Sequence, residues 1–125
     1  MAKTVFLIDD DATYNALNKR MLKKKVDEEF NIVEFTNAEE ALSQILEKNV
    51  IPDYIFLDVN MPLMDGWEFL QILTEETEGI EFNTKVSMLT SSMFPQDKEK
   101  AFKFKYVHHY INKPLDPVSI HTIFG

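Results

Sequence analysis

The sequence predicts an α/β fold, a doubly wound five-stranded parallel sheet with helices on both faces. Three observations lead there. Short apolar runs alternate with helix-like stretches along all 125 residues, with no internal repeat, low-complexity segment or interdomain linker. The strand runs are apolar nearly throughout, as in strands buried on both faces, and lack the alternation of a half-exposed sheet. Four of them run directly into a polar group: the acid cluster Asp9, Asp10 and Asp11, then Asp58, Thr90 and Lys113. Ligands of open α/β sheets bind at the carboxyl ends of strands, so these four groups stand where chemistry is expected.

The elements follow in order. Val5 to Ile8 reads as the first strand, and Ala12 to Lys25 as a helix with Tyr14, Leu17 and Met21 at helical spacing. Asp11 is expected to cap that helix, and Lys23, Lys24 and Lys25 to form its solvated end, where cations suit the dipole. Ile32 to Phe35 is a short second strand. Thr36 and Glu39 suggest a capping box for a helix that buries Ala38, Ala41, Leu42, Ile45 and Leu46. Tyr54 to Leu57 is the third strand, followed by a Pro- and Gly-bearing loop and a helix from about Asp65 to Glu76 that buries Leu70 and Leu73. Trp67 should pack on that helix. Thr77 to Thr84 reads as a polar loop, Val86 to Leu89 as a strand, Pro95 to Phe104 as a helix and Val107 to Ile111 as the fifth strand. Asp116 and Pro117 then suit the N-cap and first position of a last helix carrying Val118, Ile120 and Ile123.

With these residues in place, the sequence resembles the response-regulator receiver domain, the phosphoacceptor module of two-component signalling. The motifs are "LIDDD", "FLDVNMPLMDG", "SMLTSS" and "YINKP", and the likeness covers essentially the whole chain, 1–125. It implies strand order 2-1-3-4-5, which sets the first and third strands side by side; a chemotaxis receiver of this family is a standard example of that order. It implies that Asp58 is the phosphoacceptor, that Asp9 and Asp10 are the acid pair, and that Asn60 adds its backbone carbonyl to the metal set. Asp9, Asp10, Asp58 and Asn60 would then hold Mg²⁺, which suits an all-oxygen site. Lys113, aimed inward by a cis peptide to Pro114, and Thr90 would contact phosphoryl oxygens. Thr90 and Tyr110 would form the switch, Tyr110 lying on the opposite face from Ile111. Asn60 and Ser92 occupy the positions that tune phosphoryl lifetime. The implied partners are a histidine kinase or histidine phosphotransfer protein upstream and a protein target downstream; the module is not itself an enzyme.

Two departures stand out. "KFKYVHHY" lacks the glycine common before the fifth strand, which leaves the turn there open. His108 and His109 are adjacent, so in a regular strand they face opposite ways and do not converge on a metal. Phe102, Phe104, Tyr106 and Phe124 are expected to leave an apolar docking patch beside the fourth helix.

Composition excludes other classes. The net charge of −8 disfavours a nucleic-acid surface, and the absence of cysteine removes disulfide and thiolate chemistry. No apolar run approaches a membrane span and no signal-peptide core follows Met1, so a cytoplasmic, membrane-free protein is expected. The chain ends about where a fifth helix should, which fits a single receiver acting alone as well as a receiver cut from a longer protein. A rival reading takes "DDDAT" at 9–13 as the nucleophile motif of a haloacid dehalogenase-like phosphatase, with Asp9 as nucleophile and Asp11 as acid/base. That reading leaves Asp58 without a task.

Overall fold

A computed structural model describes residues 2–25, 29–91 and 94–124, apart from the side chain of Lys25. Ser92 lies outside the described residues. Strands and helices alternate as β1 (Lys3–Ile8), α1 (Ala12–Lys25), β2 (Phe30–Phe35), α2 (Ala38–Leu46), β3 (Tyr54–Asp58), α3 (Gly66–Glu76), β4 (Lys85–Thr90), α4 (Pro95–Phe102), β5 (Val107–Asn112) and α5 (Pro117–Phe124). The five strands are parallel in the order β2-β1-β3-β4-β5. The sheet order is the one the resemblance implied.

Two cores account for the apolar character of the central strands. Phe6, Ile8, Ile55, Leu57, Val86 and Met88 pack on one face against α2, α3 and α4, with Phe69, Leu70 and Leu73 fully buried. Val5, Leu7, Phe56 and Leu89 pack on the other, against Leu22 of α1 and Ile120 of α5. Every residue from Val5 to Ile8 and from Tyr54 to Leu57 is therefore buried, whichever way it points.

Caps set the helix starts. The cap of α2 is Asn37, whose side chain accepts from the Glu40 N–H, one residue later than the expected Thr36 and Glu39 pairing. Asp65 and Glu68 form a reciprocal capping box at α3. Asp11 and Asp116 accept from the N–H groups of Thr13 and Ser119 at the starts of α1 and α5, as expected. Helix α4 ends at Phe102, and the chain turns into β5 through bonds from Phe104 to Ala101 and from Val107 to Phe104. Among the described residues only Asn49, Leu63 and Gly79 have positive φ, so that turn needs no glycine.

The buried stripe of α1 differs from the expected one. Leu17 is 51% exposed and Tyr14 and Met21 are half-buried, whereas Asn15, Asn18 and Leu22 face the sheet. Asn15 earns its place by donating to the carbonyls of Asp9 (3.2 Å) and Phe35 (2.9 Å), tying α1 to the ends of β1 and β2. In α5, Ile120 is buried but Val118 is exposed. The expected aromatic patch also divides. Phe102 is exposed, Phe104 stacks on Trp67, Tyr106 is buried with its hydroxyl 2.5 Å from that of Thr77, and Phe124 lies in the opposite core against Tyr54. Phe94 is exposed beside Phe102's helix instead.

Strand β5 is irregular. Val86 pairs with Val107 and Ser87 with His109, so His108 is an extra residue. The bulge lets Val107 and Tyr110, three apart, pack on the same core while Ile111 joins the other, which strict alternation forbids. Tyr110 and Ile111 do lie on opposite faces as expected.

Asn15→Ala should cost about 1–3 kcal/mol, because two buried carbonyls lose a donor. Leu17→Ala should change stability by no more than about 0.5 kcal/mol. Denaturant titrations of the two variants check this, and the reverse ranking would contradict the assigned face of α1.

Candidate functional site

The carboxyl edge of the sheet gathers the predicted groups because β1 and β3 are neighbours. Asp9 directly follows β1, Asp58 ends β3, Thr90 ends β4 and Lys113 directly follows β5. One carboxylate oxygen each from Asp9, Asp10 and Asp58 lies within 4.8 Å of the others. Asp9 and Asp58 are buried and Asp10 is exposed, so the cluster opens to solvent on one side. Asn60 is exposed two residues beyond Asp58 in the β3–α3 loop.

Each group is braced by backbone. Asp9 receives the N–H of Asp11 on Oδ1, and its own N–H donates to Phe35. Gly66, the first residue of α3, lies so close beneath Asp58 that a Cβ there would come within 2.8 Å of the Asp58 carbonyl oxygen. Only glycine fits that approach without a backbone shift. Thr90 is fully buried, and its carbonyl accepts the Lys113 N–H at 2.8 Å, linking the ends of β4 and β5. The Lys113–Pro114 peptide is cis, as expected.

Lys113 is the cation of the site. Its Nζ stands 2.8 Å from Asp9 Oδ2 and 3.2 Å from Asp58 Oδ1. Burial disfavours the charged lysine, but the Asp9 hydrogen bond and the charges of Asp58 and Asp9 together raise its pKa above the ordinary value. Asp58 is pushed up to about 6 by burial and by the Asp9 charge, which together outweigh Lys113. One ammonium is thus too little positive charge for three carboxylates. The donor set of hard oxygens fits a small divalent cation held by Asp9, Asp10 and Asp58.

Other singled-out residues fall as follows. Tyr110 packs inward on the core below the site, and its buried hydroxyl has no hydrogen-bond partner among the described residues. Asp11 is occupied in capping α1 and does not join the acidic cluster, while Asp58, which the phosphatase reading left idle, belongs to it. His108 is exposed and His109 half-buried, the latter held below the usual histidine range by burial and by the charges of His108 and Lys85. Three contributors were not read as part of the site from the sequence: Asn15, Gly66 and Tyr14, whose ring lies 4.4 Å from Lys113 Nζ. Gly66 was signalled by the loop pattern; the other two carried no signal beyond helical spacing.

Comparison with known proteins identifies the family and the fold. The response regulator receiver domain family matches residues 5–124. The chemotaxis protein CheY of Halobacterium salinarum is 31% identical over 121 residues, 96% of this chain and 92% of that protein. The two-component response regulator ARR11 of Arabidopsis thaliana is 32% identical over 115 residues, which are 89% of this chain but 20% of that protein. Among solved structures, a two component response regulator from Cytophaga hutchinsonii superposes with a TM-score of 0.87 at 27% identity, covering 99% of this chain and 96% of the other. Vibrio cholerae CheY4 shares the fold, with a TM-score of 0.78 at 22% identity over 98% and 96% of the two chains. The fold and the family match therefore define a two-component signalling module, and the chain belongs to the response regulator receiver domain family. Receiver domains are signalling proteins that bind Mg²⁺ at an acidic pocket and work with histidine kinases or phosphotransfer proteins. Among the described residues, no helix is long and apolar enough to cross a membrane.

The raised pKa of Asp58 has a signed consequence. Folding binds protons between the unfolded value of 3.8 and about 6, so in chelator this group's contribution to stability is full below 3.8 and is lost as pH rises through about 6. Asp58→Asn, which never ionises, should gain stability relative to wild type across that window and level off above it. Paired denaturation midpoints from pH 4 to pH 7 check this; a constant difference would place the Asp58 pKa elsewhere.

Proposed function

We propose that this receiver domain accepts a phosphoryl group on Asp58 from a phosphohistidine of a histidine kinase or phosphotransfer protein, depends on Mg²⁺, and in response switches a protein-docking surface. The observation that carries the reading is Asp58 itself, a buried strand-end carboxylate sharing a cluster with Asp9 and Asp10 and facing Lys113. Residues 1–125 act on this reading as one receiver unit, cytoplasmic and without catalytic turnover of its own, on a downstream protein rather than on nucleic acid.

The chemistry is nucleophilic attack by an Asp58 carboxylate oxygen on phosphorus, with the P–N bond of the phosphohistidine breaking and the imidazole leaving. When bound, Mg²⁺ held by Asp9, Asp10, Asp58 and the Asn60 carbonyl offsets the repulsion between two anions and orients the transferred group. Lys113 supplies a point charge to one phosphoryl oxygen, and the Thr90 hydroxyl donates to another. Asp58 and Thr90 are both buried at this edge, so each meets little water. Thr90 then links occupancy to Tyr110 and to the face of α4 that carries Phe102, since β5 pairs with the strand Thr90 ends and α4 is the next helix in the chain.

Incubation with acetyl phosphate should label Asp58, as read by mass spectrometry. Chelation should lower the rate about 100-fold, Asp58→Asn should abolish the label, and millimolar Mg²⁺ should raise the melting temperature. Labelling of Asp9 instead, or equal labelling in chelator, would overturn the assignment.

Trp67, the chain's single tryptophan, stacks on Phe104 and carries the Lys100 ammonium 4.4 Å above its ring, so it joins α3 to α4. Beryllofluoride should therefore change Trp67 fluorescence and the NMR shifts of Tyr110. Thr90→Ala should keep Asp58 able to accept phosphate while losing most of both responses; equal responses in the two proteins would refute the coupling.

A further inference from the structure

Lys113 has a third contact that neither the acid cluster nor the strand ends explain. Its Nζ lies 2.8 Å from Asp9 and 3.2 Å from Asp58, and 4.4 Å from the ring centroid of Tyr14, in the first turn of α1. The lysine side chain is 14% exposed, so this ammonium is largely withdrawn from water, the setting in which an aromatic face attracts a cation most strongly. Lysine ends a flexible four-carbon stem, so something must decide where the charge rests. Helix α1 is itself fixed over the site by Asn15, the next residue, through the carbonyls of Asp9 and Phe35.

The three partners differ in what else they must do. Asp9 and Asp58 are the carboxylates that a divalent cation would take, and Asp58 is also the group that would be modified. The Tyr14 face is neutral and coordinates nothing, so its attraction for Lys113 does not compete with either event. We infer that Tyr14 is a positioning residue for phosphoryl transfer: its ring keeps the Lys113 ammonium inside the site when the carboxylates are engaged, ready for a phosphoryl oxygen. The inference rests on the role given to Lys113 under the proposed function. It predicts that the ring matters and the phenol hydroxyl does not.

Tyr14→Phe keeps the ring, and Tyr14→Leu keeps apolar bulk without it. In metal-free protein, NMR of the Lys113 side chain should show ring-current-shifted Cε protons in wild type and Tyr14→Phe. Tyr14→Leu should lose the shift and show a more mobile Cε. With acetyl phosphate and Mg²⁺, the maximal rate of Asp58 phosphorylation should stay within about twofold for Tyr14→Phe. It should fall about three- to tenfold for Tyr14→Leu, the range a partly desolvated cation–π contact confers, with Mg²⁺ affinity unchanged. Equal rates in the Leu and Phe variants, an equal loss in both, or unshifted Lys113 signals in wild type would overturn the inference. A wild-type protein that takes no phosphate on Asp58 while its Lys113 signals are shifted would instead defeat the proposed function and leave the contact standing.

Discussion

Three carboxylates held within 4.8 Å of one another are the constraint on which the rest of this structure turns. Left to themselves, Asp9, Asp10 and Asp58 would repel, and two of them are buried where water screens little. The fold holds them together by making Asp9 and Asp58 extensions of adjacent, fully buried strands, whose packing on both faces leaves no freedom to splay. Lys113, close to both Asp9 and Asp58, offsets part of the repulsion. Burial, with the remaining repulsion from Asp9, raises the Asp58 pKa, which makes the site receptive to a second cation.

That balance is maintained by groups with no chemistry of their own. Asn15 uses the two donors of its amide to lock α1 against the ends of β1 and β2, and so holds Asp9's carbonyl as well as the helix that presents Tyr14. Gly66 allows the first turn of α3 to pass under Asp58 at a distance any side chain would prevent. The Thr90 carbonyl receives the Lys113 N–H, which ties the end of β4 to the residue that follows β5. On β5, Tyr110 packs on the same core as Trp67 and Phe104.

Most of the site was legible in the sequence because strand-end chemistry is local. An apolar run followed at once by Asp58, or by Asp9 and Asp10, or by Thr90, places each group at an edge whatever the partner strands are. The resemblance then supplied the strand order that makes those edges one site, and the structure has that order. The helix surfaces were less legible. Tyr14, Leu17 and Met21 have the right period for a buried stripe, yet α1 turns Asn15 and Asn18 inward, and Asn15 there donates to the carbonyls that the strand ends present. Tyr106 and Phe124 read as exposed aromatics, yet Tyr106 is buried and Phe124 half-buried, since the bulge at His108 and the position of α5 over β3 follow from packing that no local pattern encodes.

By itself, then, the sequence determined the α/β class, the parallel character of the sheet and the identity of the strand-end groups, because apolar period and residue chemistry are properties of a few neighbouring positions. Only the tertiary structure decided which face of α1 is buried, where the β5 bulge falls, and that Tyr14 lies against Lys113, 99 positions away by the numbering, at 4.4 Å. Those outcomes depend on hydrogen-bond donors and ring faces meeting across segments distant in the chain, and such meetings are set by the packed whole.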